Sequence, residues 1–575
     1  MLPGPGQYAR HRTAHAAPFY DGRMRSRLLV LLGALVLAVL LGGSMPPGQR
    51  AAQPSPPGDA AGREDSDVQE AELPPGPSGE DRERAQEIVA GMDDEELAGS
   101  VIVATAGADS GYVAELIRSH HLAGAIVMSA ALPGSPDADD VRAVTAGLAA
   151  AGEDREAPVL ISVDQEGGPV ERLGGAAATM PPLMAHGAAG DEALTAASIH
   201  AQAAELRGLG FTMNFAPTAD VTIGARDITI GVRAASDDPG LAARIAAAAV
   251  RGQQGAGLAA SAKHFPGHGA LTVDTHHEAG ELGAGMEELR EREFPPFAAA
   301  IEAGVASVMV GHIAFAETDG VPASMAPRAY RLLREEFGYD GVLVTDALDM
   351  AAARQAAPEA GQETVRALNA GADLALMPPD PVAAHRAVLS ALESGDLDAD
   401  RLQTAAERVV ALQLWTARAG EADSIAELPA LGGDPGLAEA SPGELRTLLA
   451  ERSLTVVAGQ CRLEEPPEEV RLQGADAGVR EWLAGALGER GVQVTDTAAE
   501  AVVLGRGSIG AGDAAFAVSL GAPWILEQSD AAAKLAVYHD GPEALDAVAA
   551  YVAGELTARG RLPAQIPGAD DAPDC

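Results

Sequence analysis

The segment Lys263-His264-Phe265-Pro266-Gly267-His268-Gly269, followed by Asp274-Thr275-His276, concentrates groups that bind, orient and move protons. Gly267 and Gly269 permit a tight loop around His268. Asp274 stands two residues before His276. A carboxylate that holds an imidazole in one tautomer and stabilises its protonated form suits general acid/base work. By itself such a triplet more often marks a solvent-exposed turn, and spacing alone leaves that reading open. A metal site is another reading of His264, His268, Asp274, His276 and His277, but no His-Glu-x-x-His or comparable spacing occurs, so no metal is expected. Lys263 is informative for a different reason. The chain has two lysines, Lys263 and Lys534, among 40 Lys+Arg, so an ordinary surface cation here would be arginine.

Lys263 and His264 close an apolar run, Ala259–Ala262, and four other runs end alike. Val159–Val163 leads into Asp164-Gln165-Glu166-Gly167-Gly168, Phe211–Phe215 is followed by Asp220, Val308–Val310 by Gly311-His312, and Val342–Thr345 by Asp346. One Asp after a strand is more often a helix cap than a catalyst. Five polar endings on one topological face call for another explanation. The elements behind them follow from periodicity. Apolar runs at Val101–Thr105, Gly124–Ser129, Val159–Asp164, Phe211–Ala216, Ala260–His264, Ser307–His312, Val342–Asp346 and Ala372–Met377 alternate with stretches of helical period, such as Asp191–Leu209, Pro239–Gly257 and Met286–Ala303. Such alternation over ~300 residues predicts an α/β fold, a (β/α)8 TIM-type barrel, with a doubly wound sheet as the alternative. In a barrel, all five endings lie on the C-terminal rim, where chemistry belongs.

The flanks give the domain plan. Leu28–Gly43 contains only Leu, Val, Ala and Gly, follows Arg23, Arg25 and Arg27, and ends in small residues. A helix over that run reaches roughly 24 Å, short of the ~30 Å hydrocarbon core, and the layout is that of a secretory signal. Residues 1–44 are therefore expected to be an N-terminal extension with a signal peptide or membrane anchor, giving an exported, extracellular or envelope-anchored protein. Residues 45–80 read as a disordered Pro/Gly/acidic linker, 81–420 as the barrel, 421–440 as a second linker and 441–575 as a smaller α/β domain. Ser441-Pro442 marks a helix start. Export makes a disulfide between Cys461 and Cys575 available, tying the tail to the small domain, with two free thiols as the alternative. Among 575 residues, 83 Asp+Glu against 40 Lys+Arg give a net charge of −43, which repels phosphate backbones and argues against a nucleic-acid partner. Gly505-Arg506-Gly507 is too short for a dinucleotide fingerprint, and no cofactor is expected. Oligomeric state is not legible.

The blocks Val163–Gly168, Asn214-Phe215-Ala216-Pro217, Ile230-Gly231-Val232-Arg233, Lys263–Gly269 with Asp274-Thr275-His276, and Thr345-Asp346-Ala347-Leu348-Asp349-Met350 occur in that order. Together they resemble glycoside hydrolase family 3, in its bacterial β-N-acetylglucosaminidase (β-hexosaminidase) branch, over roughly residues 81–420. The resemblance implies a retaining, exo-acting hydrolase of terminal β-linked N-acetylhexosamine, on cell-wall fragments or chitin-type oligosaccharides. It implies Asp346 as nucleophile, His276 as acid/base with Asp274 as its partner, and Asp164, Arg172, Arg233, Lys263 and His264 as sugar-binding residues. Two alternatives remain: a phosphorolytic enzyme of the same fold, because a His acid/base does not repel phosphate, and a catalytically silent wall-binding protein. The sequence departs from the family at Pro169, at Thr275-His276-His277-Glu278 and between Asp220 and Gly231, which leaves leaving-group preference open.

Overall fold

The structure, a computed structural model, describes residues 76–275, 277, 279–421, 435–509, 514–569 and 572–575. The apolar run at 28–43, most of the 45–80 segment, His276 and residues 422–434 lie outside the described residues. Among those described, no helix is long and apolar enough to cross a membrane.

Each of the eight apolar runs of the barrel region overlaps a strand: β1 Ile102–Ala106, β2 Gly124–Val127, β3 Leu160–Val163, β4 Met213–Asn214, β5 Ala259–Phe265, β6 Ser307–Val310, β7 Val342–Thr345 and β8 Ala375–Leu376. They pair in parallel in the order β8-β1-β2-β3-β4-β5-β6-β7. The two ends then meet. Val344 bridges Leu374 in parallel, Thr345 N donates to Leu374 O at 3.0 Å, and Leu376 N donates to Thr345 Oγ1 at 3.0 Å. The sheet is therefore a closed barrel and not an open doubly wound sheet. Helices cover its outside while side chains fill its inside, so β2, β3, β6 and β7 are buried along their whole length. That double burial is why these strands read as continuous apolar runs without alternation. The helix Ala399–Glu421 sends Val409, Leu412 and Trp415 into the cluster formed by Val103, Ile126, Leu160, Met213 and Val344. Gln413 on that helix donates to Ala123 O, just before β2, at 2.9 Å, so the helix seals the N-terminal end of the barrel. The opposite rim is left for the site.

The C-terminal domain opens with the helix Pro442–Ser453, where Ser441 and Glu444 form a reciprocal capping box. Its sheet contains β9 Thr455–Ala458, β10 Glu469–Gly474, β11 Gln493–Val494, β12 Ala501–Gly505, β13 Phe516–Ser519 and β14 Ala533–Ala536. The order is β9-β14-β13-β12-β10-β11, with only β9 antiparallel to its neighbour. Strand β10 has no apolar signature in the sequence, and its burial shows the reason. Only Val470 is buried, while Glu469, Gln473 and Gly474 are exposed, so no apolar run marks it. Cys461 and Cys575 are disulfide-bonded, with Cα atoms 5.5 Å apart. The domain is packed against the barrel: Met184, Ala185 and Ala188 of the barrel helix Leu183–Ala189 share one apolar cluster with Val457, Ala517, Tyr538 and Ile566.

Candidate active site

The rim is assembled by pairing one strand end to the next. After β3, Gln165 N donates to Asn214 Oδ1 and Asn214 Nδ2 donates back to Gln165 O, each at 2.9 Å. Arg172 N donates to Gln165 Oε1 at 2.9 Å, which folds the loop after β3 over this pair. Asp164 and Glu166 are thereby turned toward β5. Lys263 Nζ lies 2.8 Å from Asp164 Oδ1 and 2.7 Å from Glu166 Oε1, and the lysine side chain is only 3% exposed. Arg233 grips Glu166 with two parallel bonds, Nε to Oε2 at 2.8 Å and Nη2 to Oε1 at 2.9 Å. Arg172 Nη2 stands 3.6 Å from Asp164 Oδ2.

Burial pushes the Glu166 carboxyl upward, but Arg233 and Lys263 beside it outweigh that and hold it well below the usual carboxylate range. Burial likewise opposes charge on Lys263 and Arg233, and the adjoining carboxylates reverse the effect and raise both. Glu166, Lys263 and Arg233 therefore hold one another in their charged forms. Removing one partner of such a buried set costs roughly 3–5 kcal/mol, because a charge is left without compensation.

The loop after β5 is held by Asp220, whose side chain is fully buried. Its Oδ2 lies 2.8 Å from His264 Nδ1, and its Oδ1 accepts from the backbone N–H of His264 at 3.2 Å and of His268 at 2.6 Å. His264 Nε2 is thus turned toward Arg233 Nη2, 3.5 Å away. Burial, with His264 nearby, lowers His268 to about 4, so its ring is neutral near pH 7. Its Nε2 lies 2.9 Å from Thr275 Oγ1. Both Gly267 and Gly269 are sterically required. Gly267 has φ +131° with Glu293 pressed against it, and a side chain on Gly269 would begin 2.2 Å from Val221 O.

Asp346 leaves β7 with its N–H donating to Val310 O at 2.9 Å, and its Oδ1 accepts from Ala347 N at 2.8 Å. His312 supports the same turn. Its Nε2 lies 2.8 Å from Ala347 O, an acceptor, so that nitrogen carries the proton and Nδ1 accepts from Ser324 Oγ at 2.6 Å.

Asp164, Arg172, Arg233, Lys263, His264 and Asp346 line a single cavity of about 360 Å³, walled on its apolar side by Met128, Ile230, Met309, Met350 and Met377. Thr275 reaches the cavity wall. Asp274 is not among the lining residues; its Oδ2 lies 3.8 Å from Nε2 of the exposed His277. His276 lies outside the described residues. Sequence reasoning left Glu166, Asp220, His268 and His312 without roles. Three of them stood in polar strand endings, and that position was the signal that could have found them. Among the described residues no three His, Cys, Asp or Glu are grouped to hold a metal ion. A fixed array of charged donors and acceptors facing one carboxylate suits a polyhydroxylated ring whose reacting carbon is presented to that carboxylate.

Residues 94–412 match the family model described as Glycosyl hydrolase family 3 N terminal domain. The chain belongs to glycosyl hydrolase family 3. A β-hexosaminidase of Xanthomonas oryzae pv. oryzae is 40% identical over 227 residues, 38% of this chain and 67% of the relative. The β-hexosaminidase of Stenotrophomonas maltophilia shows the same identity and coverage. Among solved structures, a glycoside hydrolase family 3 β-N-acetylglucosaminidase from Paenibacillus sp. aligns with a TM-score of 0.71 and 29% identity, over 83% of this chain and 99% of that one. The barrel rim described above is thus that of a glycoside hydrolase.

Proposed function

We propose that this glycoside hydrolase is a retaining, exo-acting β-N-acetylglucosaminidase that works on cell-wall fragments or chitin-type oligosaccharides after export. What supports the reading is that Asp346 lines the same cavity as Asp164, Arg172, Arg233, Lys263 and His264. The names of the relatives at 40% identity point to the same sugar class. A cavity of about 360 Å³ suits one terminal sugar better than the interior of a long chain, which favours exo action.

In this reading Asp346 attacks the anomeric carbon and forms a glycosyl-enzyme, which requires its carboxylate to be ionised. Protonated His276 delivers a proton to the departing oxygen, and neutral His276 then takes one from the incoming water. Asp274 steadies the imidazolium form. Asp164, Arg172, Arg233, Lys263 and His264 bind the ring hydroxyls and hold the sugar for in-line attack.

Turnover of nitrophenyl β-N-acetylglucosaminide tests this. Free N-acetylglucosamine should form at the same rate with and without phosphate. Release of a sugar 1-phosphate would replace hydrolysis by phosphorolysis, and no turnover would leave a wall-binding role.

A further inference from the structure

We propose that Trp524 and the segment around Pro563, both in the C-terminal domain, are positioning residues for substrate binding, acting through the loop that carries Arg233. The proposal rests on the binding role given to Arg233 above.

The start of the loop between Thr222 and Asp237 is tied to the barrel, where Ile223 N donates to Gly269 O at 3.0 Å and Arg292 Nη2 to Thr222 O at 2.8 Å, and its turn is curled by one carboxylate. Asp227 accepts from Thr222 Oγ1 at 2.8 Å and from the N–H groups of Thr229, Ile230 and Gly231 at 3.2, 2.8 and 3.0 Å. These bonds fix the curl of the loop. They do not fix its distance from β3, where Glu166 waits for Arg233. The outer side is supported by the other domain. Pro563 O accepts from Ser236 Oγ at 2.5 Å and from Asp237 N at 3.1 Å, and Gln565 N donates to Asp237 Oδ2 at 2.8 Å. The Trp524 indole closes the gap at the tip: its Cζ2 lies 3.9 Å from where a side chain on Gly231 would begin. Val232, next to Arg233, packs into the apolar cluster that includes Trp524, Leu562 and Ile566.

The Arg233 loop is therefore set between its own Asp227 and the second domain. A guanidinium that must meet Glu166 in two parallel bonds tolerates little drift, and misplacement by about 1 Å is enough to weaken substrate binding. A domain that served only as a scaffold would have no need to place a large aromatic ring against this particular turn.

Steady-state kinetics and amide hydrogen exchange on full-length variants test the idea. Trp524→Ala should raise KM for nitrophenyl β-N-acetylglucosaminide roughly tenfold while kcat stays within about twofold, and Trp524→Phe should recover most of the loss. Asp237→Ala, which removes a single strut, should move KM in the same direction by about threefold. Trp482→Ala, an exposed indole on the helix Ala477–Glu489 of the same domain, should change neither. Independently of any substrate, amides of residues 229–233 should exchange about tenfold faster in Trp524→Ala, with β5 unaffected. Unchanged KM and unchanged exchange at 229–233 would overturn the proposal, even if the melting temperature fell. If Arg233→Ala leaves KM unchanged, the binding role of Arg233 fails instead, and the exchange result still decides whether Trp524 sets the loop.

Discussion

Asp346 and His276 should separate by leaving group. Asp346→Ala removes the covalent step, so kcat should fall at least roughly 10⁴-fold on every substrate. His276→Ala removes a proton that a sugar alkoxide needs and a nitrophenolate does not. Its loss should be about 10²–10⁴-fold on a disaccharide but mild on the nitrophenyl glycoside, and azide should restore turnover of the glycosyl-enzyme. Equal losses on both substrates without azide rescue would reduce His276 to a binding residue. What was legible at this scale follows from who the partners are. Lys263 and Asp164 are readable because both sit where an apolar run turns polar, and Lys263 also breaks an arginine-dominated composition. Glu166 and Asp220 act on other side chains far away in sequence, Lys263 and Arg233 in one case and the backbone of the His264–His268 loop in the other. Their polar strand endings mark the two residues, but nothing local in the sequence announces whom they pair with.

At the scale of elements, the loop after β5 depends on glycine where backbone and side chains of other segments press in. Gly267→Ala would combine φ +131° with a Cβ 2.5 Å from Glu293 Oε2. A left-handed backbone and a buried clash act together there, so stability should drop by more than about 2 kcal/mol. Denaturant unfolding checks this; an unchanged midpoint would mean the loop relaxes freely. Turnover should fall as well, because the same loop positions His264 and precedes Asp274. The eight barrel strands were visible because both of their faces are buried, which writes them as apolar runs. Strand β10, mostly exposed, and the two-residue pairing of Gly280–Glu281 with Ile313–Ala314 carry no such pattern.

For the whole molecule, buried ionisable groups set the pH range of stability. Burial lowers His186 to about 3 and His539 to about 4, both from 6.5. The unfolded chain therefore takes up these protons first, and stability present above pH 6.5 is lost as pH falls toward 4. Glu293 shifts the other way, to about 7 from 4.5, because burial dominates, and its Oε2 has no hydrogen-bond partner among the described residues. Here the folded state keeps the proton, and the contribution is lost as pH rises from 4.5 through 7. Melting temperatures across pH should show both limbs, and Glu293→Gln should make only the alkaline one shallower, since burial also raises Glu171 to about 7. An identical profile for that variant would remove Glu293 from the explanation. The helix start at Ser441-Pro442 is legible in the sequence, whereas the contact of Pro563 and Trp524 with the Arg233 loop, joining residues far apart in sequence, is not. Covalent glycosylation of Asp346 by an N-acetylhexosamine donor can be measured directly. The protein is mixed with a slow 5-fluoro-β-N-acetylglucosaminyl fluoride and examined by intact mass and peptide sequencing. One stoichiometric sugar adduct on Asp346 is expected; turnover with no adduct, or an adduct on any other residue, would remove Asp346 as the nucleophile.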